Sequence, residues 1–213
     1  MCIRDRDNII EGGAGADTLR GDGGTDTLSY ESSSAGVSVK LGTRQYKDGD
    51  AQGDDADGFE NLIGSNFDDS DLFGTVGENS IWGREGNDDI RGLRGHDRLY
   101  GEGGNDSVRG DEGNDTLVGG AGNDVFVAHS ADGDTDTITD FTSGDKIRID
   151  VADPSTVTDL ASLYTTLSIT QATSSSNVTL TFDRGTTGTD ASDYMLVLDG
   201  FTGNLTFTDF EVI

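Results

Sequence analysis

Residues 74–127 read GTVGENSIW, GREGNDDIR, GLRGHDRLY, GEGGNDSVR, GDEGNDTLV and GGAGNDVFV, six blocks of nine with no residue left between them. Two more blocks, GGAGADTLR and GDGGTDTLS, fill residues 12–29. All eight carry glycine in places one and four and an apolar residue in place eight. Seven carry aspartate in place six, and Asn79 is the exception. Glycine accounts for about 7% of average usage, so its presence at both places of every block is a structural repeat. A fixed short period of this kind is the mark of a solenoid.

Each place has a physical reading. Glycine in places one and four permits positive φ and close approach of neighbouring backbones, as stacked tight turns require. Asparagine recurs in place five (Asn87, Asn105, Asn114, Asn123) and tolerates left-handed geometry next best. Places seven to nine predict a short strand. Its place-eight side chains point inward (Leu19, Leu28, Ile81, Ile90, Leu99, Val108, Leu117, Phe126) and its flanking side chains point outward. One block reverses the chain, so two blocks make a full coil, and residues eighteen apart stack: Asn79 near Asp97, Asp88 near Asp106, Asp97 near Asp115, Asp106 near Asp124. Calcium takes six to eight oxygens, which a carboxylate from each of two stacked turns and their carbonyls would supply.

Composition supports the same reading. Of 213 residues, 41 are acidic and 14 basic, for a formal charge of -27, and only 32% are apolar. That balance argues against nucleic acid and anionic membranes as partners and invites cations. One buried aliphatic side chain per block returns only about 1.5–3 kcal/mol, whereas two carboxylates about 5 Å apart repel by roughly 3 kcal/mol. Folding is therefore expected to be coupled to binding of several calcium ions, with roughly four full sites across 74–127. No apolar run is long enough to span a membrane, and no secretory signal peptide stands at the amino end. Residues 1–6, Met-Cys-Ile-Arg-Asp-Arg, read as a translated sequencing adapter, with the natural protein expected to continue upstream. Cys2, the only cysteine, lies inside them, so neither a disulfide framework nor a thiolate metal site is expected.

The blocks resemble those of the RTX, or haemolysin-type, calcium-binding repeat proteins, whose pattern is G-G-x-G-x-D-x-U-x. The resemblance implies an all-β chain, a parallel β-roll (a right-handed β-helix of nonapeptide repeats) followed by an antiparallel β cap at the carboxy end. It also implies a ligand scheme: the place-six carboxylate and the carbonyls of places two and four in one turn, with the carboxylate and the carbonyls of places one and three two blocks later. One site would then use Arg84, Gly86 and Asp88 with Gly101, Gly103 and Asp106. Another would use Glu102, Gly104 and Asp106 with Gly119, Ala121 and Asp124. The same scheme draws in Thr75, Gly77, Asn79, Gly92, Leu93, Arg94, Gly95, Asp97, Gly110, Glu112 and Asp115, with Asp17 and Asp26 in the first two blocks. Asn79 offers a neutral oxygen, so its site is expected to be weaker.

The organisation expected is repeats at 7–29, an inserted lobe at 30–73 with a strand at Val37 to Leu41, the main roll at 74–127, and a closing segment and cap at 128–213. DGDAQGDDADGF at 48–59 nearly matches an EF-hand loop, but Phe59 stands where the bidentate glutamate belongs, so a solvated loop is the preferred reading. A helical turn is expected at 160–164, and the runs SITQ, NVTLTF, YMLVLD and LTFTDFEVI are expected to pair antiparallel over the end of the coil. The ending DFEVI resembles the uncleaved export signal of type I secretion substrates. That implies the secretion machinery as a partner and an extracellular, monomeric product. No catalytic constellation is present: His96 and His129 are the only histidines and fit no H-E-x-x-H spacing, and no G-x-S-x-G elbow occurs. The alternative is the non-catalytic carboxy-terminal domain of a secreted metalloprotease, lipase or alginate epimerase.

Overall fold

The computed structural model describes residues 6–128, 134–149, 169–173, 177–182, 194–201 and 205–213. Residues 1–5, His129 and the helical turn expected at 160–164 lie outside them. Among the described residues the regular secondary structure is strand apart from three short 3-10 turns. It forms one ten-stranded sheet, one eight-stranded sheet and a two-stranded pair.

The two large sheets face each other because successive nonapeptides alternate between them. Ser80–Glu85, Arg98–Gly103 and Thr116–Ala121 are parallel neighbours in one sheet. Asp89–Arg94, Ser107–Glu112 and Val125–Val127 are parallel neighbours in the other. Registers such as Leu99↔Ile81 and Val108↔Ile90 show the eighteen-residue coil directly. Leu28, Leu62, Ile81, Leu99, Leu117 and Ile138 from the first sheet meet Val39, Leu72, Ile90, Val108, Phe126 and Ile147 from the second, none more than 1% exposed. This narrow double file is the core. Outward, Trp82 and Tyr100 in place nine of stacked blocks lie parallel, with ring centroids 5.6 Å apart.

Four expectations change. The full strands of the main roll cover six residues, places seven to nine and one to three of the next block. Place one is therefore inside the ladder, and its glycine has no positive φ. It is needed for space: a Cβ on Gly101 would lie 2.2 Å from Asp106 Oδ2 and 2.5 Å from the Gly119 carbonyl oxygen. Left-handed backbone sits instead at places two and four, including the non-glycine residues Arg84 (φ 87), Leu93 (φ 84), Glu102 (φ 74) and Asp111 (φ 71).

The segment 30–73 is continuous with the roll. Asn61–Ile63 bridges Thr27–Ser29 to Ser80–Glu85, and Asp71–Phe73 bridges Ser38–Lys40 to Asp89–Arg94. Only the excursion between Lys40 and Asn61 leaves the coil, and its strand Asp55–Asp57 pairs with Thr18–Arg20 of the first block. Leu19, beside this side sheet, is half-buried.

At the carboxy end, Ile169–Thr173 and Asn177–Phe182 pair antiparallel as expected, and Asn177–Phe182 pairs antiparallel with Tyr194–Asp199. Tyr194–Asp199 is also parallel to Thr135–Ile138. The final strand Phe210–Val212 is parallel to Lys146–Ile149, so LTFTDFEVI ends as a rung of the roll, entered through a short 3-10 turn at Phe207–Asp209. Ile147 and Phe210 share a register position and are both buried, which explains the choice: the parallel position covers the open end of the core.

Candidate metal centre

The place-six side chains form two buried files along the sides of the roll. The backbone N–H of each residue donates to Oδ1 of the carboxylate one coil ahead. Asp69 donates to Asp88, Asp88 to Asp106, Asp106 to Asp124 and Asp124 to Asp145, at 2.8–3.0 Å. On the other side Asn79 donates to Asp97, Asp97 to Asp115 and Asp115 to Asp136, at 2.8–3.0 Å. All of these place-six residues are at most 3% exposed.

An outer file of place-five side chains runs in the opposite sense. Asn105 N–H donates to Asn87 Oδ1 and Asn123 N–H to Asn105 Oδ1, both at 2.8 Å. On the opposite side Asn114 N–H donates to Nδ1 of His96 at 3.0 Å. His96 is thus a turn residue, as its place in the block predicts.

Oδ1 of each inner aspartate is used, but Oδ2 of Asp88, Asp97, Asp106, Asp115 and Asp124 is buried without a hydrogen-bond partner. The same holds for Asp17 and Asp26. A buried carboxylate oxygen with no donor is costly. Burial accordingly pushes Asp88 up to about 8 and Asp97 and Asp106 up to about 7, and raises Asp115 and Asp124. Backbone N–H donors act against the shift without cancelling it.

Carbonyls crowd the same gap. A Cβ on Gly104 would lie 1.8 Å from the Gly86 oxygen, one on Gly120 2.1 Å from the Glu102 oxygen, and one on Gly83 2.8 Å from the Gly101 oxygen. The carbonyls of Gly103, Glu112 and Ala121 accept N–H groups of Gly86, Gly95 and Gly104 at 2.8–3.0 Å, which leaves each a lone pair. Carbonyls of all four expected places thus lie between stacked turns. Among the described residues no three His, Cys, Asp or Glu side chains converge. A metal in this gap must be held by one or two carboxylates and several carbonyls, an oxygen-only donor set suited to a hard cation of calcium's size. The orphaned Oδ2 atoms fit that requirement.

The expected residues do not all fall alike. Asp17 is half-buried beside the two-stranded side sheet, and its N–H donates to Asp54 Oδ1 at 2.8 Å. Asp26 is fully buried, and its N–H donates to Glu60 Oε2 at 2.8 Å. Thr75 and Gly77 lack the left-handed φ of the other turns, and Asn79 Oδ1 accepts Thr75 N–H at 2.7 Å. The EF-hand-like loop does not converge: Asp54 serves Asp17 and Tyr30, Asp55 pairs with Arg20, and Asp57 with Arg44. It is not simply solvated either, since Ala51, Ala56 and Phe59 are buried.

Sequence reasoning missed Asp69, Asp136 and Asp145, which continue the files at spacings of 19 and 21 residues. The signal was an aspartate two residues before an inward apolar residue in Asp136-Thr-Ile138 and Asp145-Lys-Ile147, and three residues before one in Asp69 to Leu72.

No curated protein matches the chain. Among solved structures it is similar to two subunits of an Azotobacter vinelandii mannuronan C5-epimerase. The AlgE6R2 subunit is 30% identical over 65% of this chain and 83% of that one, with a TM-score of 0.41. The AlgE6R3 subunit is 22% identical over 68% and 78%, with a TM-score of 0.33. An extracellular lipase from Serratia marcescens, LipA, aligns at 14% identity over 98% of this chain and 37% of its own, with a TM-score of 0.29. The RTX calcium-binding nonapeptide repeat itself matches at residues 4–32, 63–99 and 91–126. These segments hold every member of the two files except Asp136 and Asp145, together with the glycines whose crowding shapes them. Over these segments the chain is made of RTX calcium-binding nonapeptide repeats.

Proposed function

We propose that the chain is a calcium-folded roll in which roughly four full sites lie between stacked turns of residues 74–127. The orphaned Oδ2 atoms carry this reading, because seven buried carboxylate oxygens lack any donor. Arg84, Gly86 and Asp88 with Gly101, Gly103 and Asp106 would hold one ion, and Glu102, Gly104 and Asp106 with Gly119, Ala121 and Asp124 another. Asp97 and Asp115, with the carbonyls of Leu93, Gly95, Gly110 and Glu112, would hold a third. Gly77 and Thr75 carbonyls with Asn79, Gly92, Arg94 and Asp97 would form the weakest. Calcium, when bound, supplies the positive charge that lets paired carboxylates stay ionised in the interior.

The protein's own residues do the rest. The glycines of places one and four bring oxygens within reach, the Asp–N–H files fix their spacing, and the double apolar file sets the sheets back to back. Because each turn is completed by the next, folding and binding are one event. The chain is expected to be unfolded at cytosolic calcium and to fold outside the cell, where extracellular modules bind at about 10⁻⁴ to 10⁻³ M. The DFEVI residues support export by a type I system to an extracellular location, where the chain is proposed to act as a monomer. No helix among the described residues is long and apolar enough to cross a membrane. A role as the accessory domain of a larger secreted enzyme is the second reading. An upstream H-E-x-x-H or G-x-S-x-G in the full reading frame would select it.

Far-UV circular dichroism during a calcium titration tests the main reading. A β signal should grow with calcium. A complete β signal in chelator, unchanged by calcium, would overturn it.

A further inference from the structure

The place-six turns are of two kinds. In seven of them the residue four before the aspartate is left-handed: Gly13, Asp22, Arg84, Leu93, Glu102, Asp111 and Gly120, with φ of 65–99°. The corresponding aspartates, Asp17, Asp26, Asp88, Asp97, Asp106, Asp115 and Asp124, all carry an orphaned Oδ2. In the second kind a hydroxyl residue without left-handed φ closes on the place-six side chain. Ser65 donates its N–H to Asp69 Oδ2 at 2.8 Å and its hydroxyl to Oδ1 at 2.7 Å. Thr75 donates its N–H to Asn79 Oδ1 at 2.7 Å, and its hydroxyl lies 3.3 Å from the same atom. Thr142 donates its N–H to Asp145 Oδ2 at 2.7 Å and its hydroxyl at 3.2 Å. At the fourth position Tyr194, from the carboxy-terminal strands, donates its hydroxyl to Asp136 Oδ2 at 3.0 Å.

The distribution is ordered. One file runs Asp69, Asp88, Asp106, Asp124, Asp145 and the other Asn79, Asp97, Asp115, Asp136. Each begins and ends on a place-six side chain that accepts from a hydroxyl residue, and every interior member keeps an orphaned Oδ2. The peptide orientation explains the split. A left-handed place-two residue turns its carbonyl toward the neighbouring coil, as Glu102 does toward Gly120, and leaves the carboxylate without a donor. A serine or threonine there swings its N–H onto the carboxylate.

We propose that Ser65, Thr75, Thr142 and Tyr194 close the ends of both files without metal, so that these four turns take no calcium and, within the two files, ions are confined to the open turns between them. The proposal rests on calcium binding by the open turns, and it changes the expectation for Asn79: its turn is closed rather than weak. Ser65 and Thr75 do at one turn, with an N–H and an O–H, what a cation does at the next.

The test is the number of ions bound per chain, measured by equilibrium dialysis with ⁴⁵Ca²⁺, together with circular dichroism. Thr75→Gly combined with Asn79→Asp turns GTVGEN into the open pattern and should add one ion per chain. Leu93→Thr combined with Asp97→Asn imposes the closed pattern on an interior turn and should remove at least one ion while the calcium-bound β signal persists. A wild-type ion count in either variant, with the β signal intact, overturns the proposal. Loss of the β signal in saturating calcium from both variants also overturns it, because the two turn types would not be interchangeable. If the wild-type chain binds no calcium, it is the function proposed above that fails.

Discussion

The backbone N–H of Asp88 donates to Oδ1 of Asp106, one coil ahead, at 2.9 Å, and the N–H of Asp106 does the same to Asp124. A carboxylate in the middle of a file therefore serves the coil behind it, depends on the coil in front, and keeps one oxygen free for the gap.

Asp106→Ala should be among the most damaging single substitutions. It deprives Asp88 N–H of its acceptor and removes an oxygen from two adjacent gaps, for an expected loss of about 2–5 kcal/mol in calcium. Asp17→Ala, at a half-buried site beside the side sheet, should cost less than about 1 kcal/mol. Thermal unfolding of both variants at equal calcium checks the order, and equal losses would count against the stacking scheme.

Place one and place three should differ in their tolerance of a methyl group. Gly101→Ala puts a Cβ 2.2 Å from Asp106 Oδ2 and 2.5 Å from a backbone oxygen, neither of which can retreat. Gly103→Ala meets only the flexible end of Glu85, at 2.9 Å. The calcium midpoint of the β signal should rise severalfold for the first and stay within about twofold for the second.

Leu93 is a γ-branched residue at φ 84, where a side chain costs about 1–2 kcal/mol relative to glycine. Leu93→Gly should therefore stabilise the calcium-bound roll by roughly 1 kcal/mol, read as a higher Tm. A lower Tm would mean that the Leu93 side chain contributes more than its backbone strain removes.

Acid should partly substitute for metal. Burial raises Asp88 to about 8 and Asp97 and Asp106 to about 7 from 3.8, so the metal-free folded chain holds more protons than the unfolded chain between about pH 4 and 8. That contribution to stability is fully present below the unfolded value and is lost as pH rises through 7 to 8. In chelator, β signal should increase from pH 8 to pH 5. With limiting calcium the trend should oppose this, because protons compete for the same oxygens. A chelated chain indifferent to pH over that range would contradict the burial of these carboxyls.

The main roll was legible because its signals are local and redundant. Place-eight residues such as Ile81 and Leu99 announce the core, and Asp88 and Asp106 announce the files. Asp69, Asp136 and Asp145 were hidden by one to three extra residues per coil, which the loops absorb without disturbing the ladder. Glu60, two residues before the inward Leu62 and in register with Asp26, was hidden because it is a glutamate in a block without the place-one glycine; there it accepts Asp26 N–H. The parallel placement of Phe210–Val212 was hidden for another reason. Alternation in LTFTDFEVI marks a strand, but what it pairs with depends on which end of the core lies open.

The alternation of Ser80–Glu85 in one sheet with Asp89–Arg94 in the other imposes a parity rule on length. Excising residues 83–100 would join Trp82 to Gly101 and return a shorter roll in which every side chain keeps its side. Excising nine residues would transpose everything downstream, so that the strand bearing Tyr194 would meet the wrong flank. Such a molecule can grow or shrink only by whole turns of its screw, never by halves.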